Sequence, residues 1–190
     1  LDYHLSARTM AYLSYNRGFK SGGYNTLVVT LPPFAPETLD AYEAGVKSSI
    51  DNWLTINAAA FYYDYKNIQV GRSINGLTGT YNAPGTEIYG ADLEFRAQPT
   101  RELSLTAGYS YVHGRYLDFP GAQVATPVPG GGYSVGVGNV EGNRTILSPE
   151  HSVTLGAGYT RPLGSGTLRL DANYSYTSRY YHEPDNIMSQ

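Results

Sequence analysis

Apolar and polar residues alternate along seven stretches of this chain, and the connections between them are by turns very short and very long. The clearest stretch is Tyr89 to Ala97, with Tyr89, Ala91, Leu93, Phe95 and Ala97 on one side and Gly90, Asp92, Glu94 and Arg96 on the other. Successive side chains of a strand point to opposite faces, so this spacing gathers three charges on one face; a helix would scatter them around its axis. The same alternation runs through Thr9 to Arg17, Thr38 to Ile50, Leu103 to Val112, Ser152 to Arg161 and Thr167 to Tyr176. Trp53 to about Val70 reads as a further strand. Its facing stays open, because Ala58 to Tyr63 is apolar on both sides. Leu1 to Leu5 reads as the tail of one more.

Ser6-Ala7-Arg8, Asp51-Asn52, Pro99 to Glu102 and Leu163 to Gly166 are expected to be tight turns, Asp51-Asn52 with the residue types that two-residue hairpins favour. The other connections are expected to be loops: Phe19 to Glu37, a stretch through Gly76, Gly79 and Asn82, and Gly114 to Leu147, which carries Pro120, Pro127, Pro129 and Gly130-Gly131-Gly132. A structureless loop of that last length is unusual in a compact soluble domain. Short turns at one end and long loops at the other are ordinary in a transmembrane antiparallel β-barrel, whose strands show lipid on one face and the lumen on the other. Tyr15, Tyr89, Tyr109, Tyr111, Tyr174 and Tyr176 cluster toward the loop ends, where an aromatic girdle belongs. A soluble β-sandwich also alternates, but it does not account for the rhythm of connections or for the charges on the polar face.

Composition agrees with the barrel. Charged residues make up only 15% of the 190-residue chain, and Tyr alone contributes 19 residues. Mean hydropathy is −0.34. No apolar run approaches the roughly 18 residues of a spanning helix, which says nothing against strands that carry apolar residues only at alternate positions. A net charge of −3 argues against nucleic acid as a partner. Without cysteine there is no disulfide scaffold, thiolate metal site or thiol nucleophile. Leu1-Asp2-Tyr3-His4 lacks the features of a signal peptide, so an internal piece or a processed chain is expected.

Particular residues then suggest a family. Arg17-Gly18-Phe19-Lys20-Ser21-Gly22-Gly23-Tyr24-Asn25 and Pro36-Glu37-Thr38-Leu39-Asp40-Ala41-Tyr42-Glu43-Ala44-Gly45-Val46-Lys47 closely resemble the barrel of TonB-dependent outer-membrane receptors. Phe61-Tyr62-Tyr63-Asp64-Tyr65 before Ile68-Gln69, Gly90-Ala91-Asp92-Leu93-Glu94, and Asn143-Arg144 leading to Ser148-Pro149-Glu150-His151 fit the same pattern, so the resemblance spans nearly the whole chain. It implies an all-β barrel of about 22 strands, closed inside by a plug, that imports scarce ligands, here a ferric siderophore, with energy relayed by TonB–ExbB–ExbD through the plug. Residues 1–190 are then part of a single barrel domain, some seven to eight strands of it, with plug and final strands absent. The alternative is a complete small eight-stranded outer-membrane barrel acting as a passive pore or a structural, adhesion-type protein.

The resemblance sorts the candidate residues into two sets. Glu43, Lys47, Asp92, Glu94, Arg96, Arg169 and Asp171 form the inward row, where they would face and pair with the plug, or simply solvate a wet lumen. Arg17, Lys20, Tyr24, Arg72, Tyr81, Arg115, Tyr133 and Arg144 lie in loops or at their edges. There Arg supplies planar donors and Tyr a stacking face for an anionic, amphipathic chelate; the plainer reading is solvated loops or lipopolysaccharide contacts. Enzyme activity is not expected, since His113 near Asp118 has no nucleophile motif beside it. No metal-ligand spacing is present, and any iron would arrive inside the transported chelate. The expected place is the bacterial outer membrane, with outer-membrane lipid and lipopolysaccharide around the barrel.

Overall fold

The computed structural model describes residues 1–26, 30–74 and 77–187, with the side chains of 72–74, 77, 78 and 84 left aside. Ten strands follow in chain order: β1 (Asp2–Ser6), β2 (Thr9–Lys20), β3 (Glu37–Ile50), β4 (Leu54–Ile74), β5 (Leu77–Ala97), β6 (Leu103–Asp118), β7 (Ala122–Pro127), β8 (Tyr133–Gly138), β9 (His151–Leu163) and β10 (Gly166–Thr177). Eight of them form one antiparallel sheet in the order β1-β2-β3-β4-β5-β6-β9-β10, and β7 pairs with β8 as a separate hairpin. The sheet does not close: β1 and β10 are its two edges. The small closed barrel is thereby overturned.

Tight turns set the register at one end. Asp51 and Asn52 both have positive φ, 46° and 63°, the geometry a two-residue hairpin turn of the primed type requires. With that register fixed, direct cross-strand partners share a face, and whole rows can be followed across the sheet. One row reads Ala11–Val46–Ala58–Leu93–Tyr109–Val153, the next Tyr12–Gly45–Ala59–Asp92–Ser110–Ser152. The first belongs to an apolar face and the second to a polar one. The pairing also settles β4: Ala58, Ala60 and Tyr62 share the apolar face with β3 and β5, whereas Ala59, Phe61 and Tyr63 share the polar face.

Among the described residues, the apolar face has no core to pack against. Leu13 is 55% exposed, Leu155 47% and Leu170 57%, and large apolar side chains line the face strand after strand. A contiguous exposed apolar surface of this extent needs a non-aqueous neighbour. Among the described residues the buried apolar cluster is small and lies elsewhere, at the loop end of the sheet: Ala83, Tyr116, Phe119, Ala122 and Val140, with Ile68, Val70 and Val124 packed against it.

Two connections differ from the sequence expectation. The stretch through Gly79 and Asn82 is not a loop but the outer part of a long β4–β5 hairpin, paired from Leu54↔Ala97 to Ile74↔Leu77; Gly76 lies outside the described residues. The segment from Gly114 to Leu147 is not structureless either. It continues β6 to Asp118 and then folds the β7–β8 hairpin. In both places contacts from distant segments hold the extensions together, which local alternation does not register.

Candidate functional site

Glu43, Lys47, Asp92, Glu94, Arg96, Arg169 and Asp171 all stand on the polar face, and the register divides them into two groups. The first gathers on β3 to β5. The Tyr12 hydroxyl donates to Glu43 Oε1 at 2.6 Å, and Lys47 Nζ lies 5.3 Å from the centre of the same ring. Asn57 Nδ2 donates to Glu94 Oε2 at 2.9 Å, while Arg96 pairs with Glu94 Oε1 at 2.6 Å. Tyr12, Lys47, Asn57, Asp92 and Glu94, with Ser110 and Thr154 beyond them, line a cavity of about 290 Å³ on this face. The second group is the Arg169–Asp171 pair at 2.8 Å on β10. Between the groups, β6 and β9 present only short side chains: Ser104, Thr106, Gly108, Ser110, Ser152, Thr154, Gly156 and Gly158. Tyr12 and Asn57 are absent from the sequence-derived set. Their parity opposite Ala11 and Leu13, and opposite Ala58 and Ala60, is the signal that would have found them.

At the loop end the apolar face carries an aromatic row, Tyr15–Tyr42–Tyr62–Tyr89–His113. Neighbouring rings approach to 5.1 Å (Tyr15–Tyr42), 6.5 Å (Tyr42–Tyr62) and 4.8 Å (Tyr89–His113). Two residues further along lies a charged row, Arg17–Asp40–Asp64–Glu87–Arg115. The two rows are tied together, for Tyr15 donates to Asp40 at 2.7 Å and Tyr62 to Glu87 at 3.1 Å. Such phenols keep an apolar ring on one side and a wet hydroxyl on the other, as a girdle at a membrane boundary does. Tyr109, Tyr174 and Tyr176 stand several positions lower on the ladder, Tyr109 on the same strand as His113 but outside that row.

The eight loop candidates do not meet at one point. Arg17 pairs with Asp40 at 3.6 Å, and Arg115 ends the same row four strands away, roughly 19 Å at ordinary strand spacing. Arg115 forms a bridge with Arg144, which is paired to Glu150. Lys20 is opposite Glu37, Tyr81 opposite Val70 and Tyr133 opposite Pro127. Tyr24 is 78% exposed in the loop after β2. Arg72 takes the register position opposite Gly79.

What the loops do share is a set of asparagine and glutamate clamps. Asn82 accepts from the Ala35 amide at 2.7 Å and donates to the carbonyls of Ala35 (3.0 Å) and Asn67 (2.8 Å). Asn25 makes the equivalent pair with Thr80, and Glu37 accepts from Tyr65 and from the Gln69 amide. The loop after β2 is thus fastened to the β4–β5 extension. Asn82→Ala removes the side-chain bonds to the Ala35 main chain and is expected to loosen that loop by about 0.5–1.5 kcal/mol. Hydrogen exchange over residues 30–36 should accelerate about two- to tenfold, with the exchange of β9 and β10 unchanged.

Residues 1–189 match the family model "TonB dependent receptor-like, beta-barrel". The chain belongs to that family. A curated relative, the ferrioxamine receptor of Yersinia enterocolitica, is 22% identical over 197 residues, covering 98% of this chain and 24% of the receptor. Among solved structures, the ferric yersiniabactin uptake receptor of Yersinia pestis aligns with a TM-score of 0.74 at 20% identity, over 97% of this chain and 26% of that one. The siderophore receptor PiuA of Acinetobacter baumannii gives 0.70 at 20% identity over the same shares. The chain therefore spans about a quarter of the relatives it matches. Its open sheet is one sector of a TonB-dependent receptor barrel, a fold that implies an outer membrane, in a family of transport receptors.

Proposed function

We propose that this chain forms a wall sector of a bacterial outer-membrane receptor that imports a ferric siderophore, driven by TonB–ExbB–ExbD acting through a plug. The family match over residues 1–189, together with relatives named as ferrioxamine and ferric yersiniabactin receptors, carries this reading. The apolar face is the outward one, meeting lipid, and the polar face is the lumen wall. On that wall Glu43, Lys47, Asp92, Glu94 and Arg96 face the plug and offer it hydrogen-bonding and ionic partners, and Arg169 and Asp171 face it from β10. The Tyr15-to-His113 row marks the outer boundary of the hydrocarbon, and the charged row above it, with Arg17 and Arg115, contacts lipopolysaccharide headgroups. Lys20, Tyr24, Arg72, Tyr81, Tyr133 and Arg144 belong to the ligand-facing loops. Iron is cargo inside the chelate, and the protein catalyses no covalent step.

Deleting the full-length gene in its source organism tests the proposal. Uptake of radiolabelled iron presented on siderophores should fall to background for at least one siderophore, return on complementation, and collapse equally when TonB is removed. Full uptake of every siderophore tried in the deletion strain, or uptake indifferent to TonB, would sink it.

A further inference from the structure

The apolar face is not evenly filled. Toward the turn end of β6, β9 and β10, Leu105, Ala157 and Ala172 form one cross-strand row, and Ala107, Leu155 and Tyr174 form the next. The short side chains of Ala157 and Ala172 leave a groove of about 350 Å³ walled by Leu105, Leu155 and Tyr174. Those three side chains are exposed, so nothing among the described residues covers the groove. Following the same face toward the turns, Tyr159 comes next and then Arg161, opposite Leu170 and Leu168 of β10. On the other side Leu103 pairs with Tyr159, and the Thr160 amide donates to the Glu102 carbonyl at 2.8 Å, which brings Arg101 beside Arg161 at the rim. Both arginines are exposed, and neither has an ion-pair partner among the described residues. Glu102 lies opposite Thr160 and so shares the polar face with Arg169. At another turn of the same rim the charge is balanced, Arg8 being paired with Asp51 at 3.4 Å.

We propose that Arg101, Arg161, Tyr159 and the groove bind one phospholipid of the periplasmic leaflet, with a net negative headgroup of the phosphatidylglycerol type. The site goes beyond siderophore import and takes from that reading only the outward facing of the apolar face. The two guanidinium groups receive the phosphate, and the Tyr159 phenol stands at the level of the glycerol esters. An acyl chain then lies over Ala157 and Ala172. From Arg161 to Ala157 the strand runs roughly 13 Å, room for the glycerol and the first carbons of the chain between phosphate and groove. Charge selects the occupant. Phosphatidylethanolamine brings its own ammonium against two unpaired guanidinium groups, whereas phosphatidylglycerol presents only its phosphate charge. A wholly apolar partner surface would leave both arginines without a counter-charge.

Native mass spectrometry of the purified full-length receptor tests this, with phosphatidylglycerol and phosphatidylethanolamine of matched acyl chains as probes. The wild type should retain phosphatidylglycerol in preference. Arg101→Gln with Arg161→Gln should weaken that retention on the order of tenfold, with a smaller effect on phosphatidylethanolamine. Ala157→Leu with Ala172→Leu fills the groove, keeps both arginines and should weaken both lipids. Heat-modifiable migration on gels verifies assembly, and Ala172→Leu alone serves if the pair does not assemble. Equal retention of the two lipids by the wild type, or phosphatidylglycerol retention unchanged by either pair of substitutions, overturns the site. So does a stable dimer that the leucine variants dissolve, because a second copy of the receptor then fills the groove. Each of these results leaves siderophore import standing, and a failure of TonB-dependent uptake leaves the lipid site standing.

Discussion

Leu93→Arg should destabilise the assembled receptor by about 2–4 kcal/mol, the cost of a cation at the bilayer midplane of a β-barrel. Leu93 is the middle of five apolar-face positions on β5, Tyr89, Ala91, Leu93, Phe95 and Ala97, with the girdle above and the turn below. From Tyr89 to Ala97 the strand runs about 27 Å, or roughly 20 Å of membrane depth once strand tilt is taken into account. Leu93 therefore has about 10 Å of hydrocarbon on either side. Its cross-strand partners, Ala58 and Tyr109, offer no carboxylate to an incoming guanidinium. Equilibrium unfolding from lipid vesicles in urea reads the loss. Glu94→Ala, one position along and on the other face, is the control: it gives up the bonds to Asn57 and Arg96 but meets no lipid, and should insert normally. Equal stability of Leu93→Arg and the parent would reverse the assignment of faces.

How much of this was legible in the sequence depends on the range of the forces involved. Parity is a local property, so Tyr89 to Ala97 alone announces a strand, and every one of the seven inward candidates falls on the polar face. Ala58 to Tyr63 was not legible, because both parities are apolar there. Only pairing with Ala44 and Val46 on one side and Ala91 and Leu93 on the other decides which residues face which way. The β4–β5 extension was also hidden. Gly76, Gly79 and Asn82 signal a loop locally, yet the segment is held as a hairpin by the Asn82 and Asn25 clamps and by Tyr116 and Phe119 packed nearby. The β7–β8 hairpin was masked in the same way by the glycines and prolines that flank it. The loop candidates failed to converge because convergence is a tertiary fact. Arg17 and Arg115 share a row that no sequence spacing reveals.

A second large effect is expected at a single hydrogen atom. Gly90→Ala should prevent the barrel from assembling, at a cost above about 3 kcal/mol. Gly90 lies on the polar face between Phe61 and Val112, with the Phe61 ring over it. A Cβ there would collide with the Tyr111 carbonyl oxygen and lie 2.6 Å from Phe61 Cζ. The ring can swing away; the carbonyl belongs to the neighbouring strand, and moving it opens the β5–β6 ladder. Gly45 provides the comparison on the same face, because the three atoms nearest its absent Cβ all belong to the Tyr12 side chain. Trimming Tyr12 to Ala should therefore rescue Gly45→Ala, whereas trimming Phe61 to Ala should leave Gly90→Ala unassembled. Folded, heat-modifiable receptor in outer membranes is the readout for both pairs. Rescue at Gly90 by the Phe61 change would mean that the ring, and not the main chain of β6, demands the glycine. The double substitutions thus separate room made for a side chain from room made for the sheet itself, and that difference determines which of the two positions another residue can ever occupy.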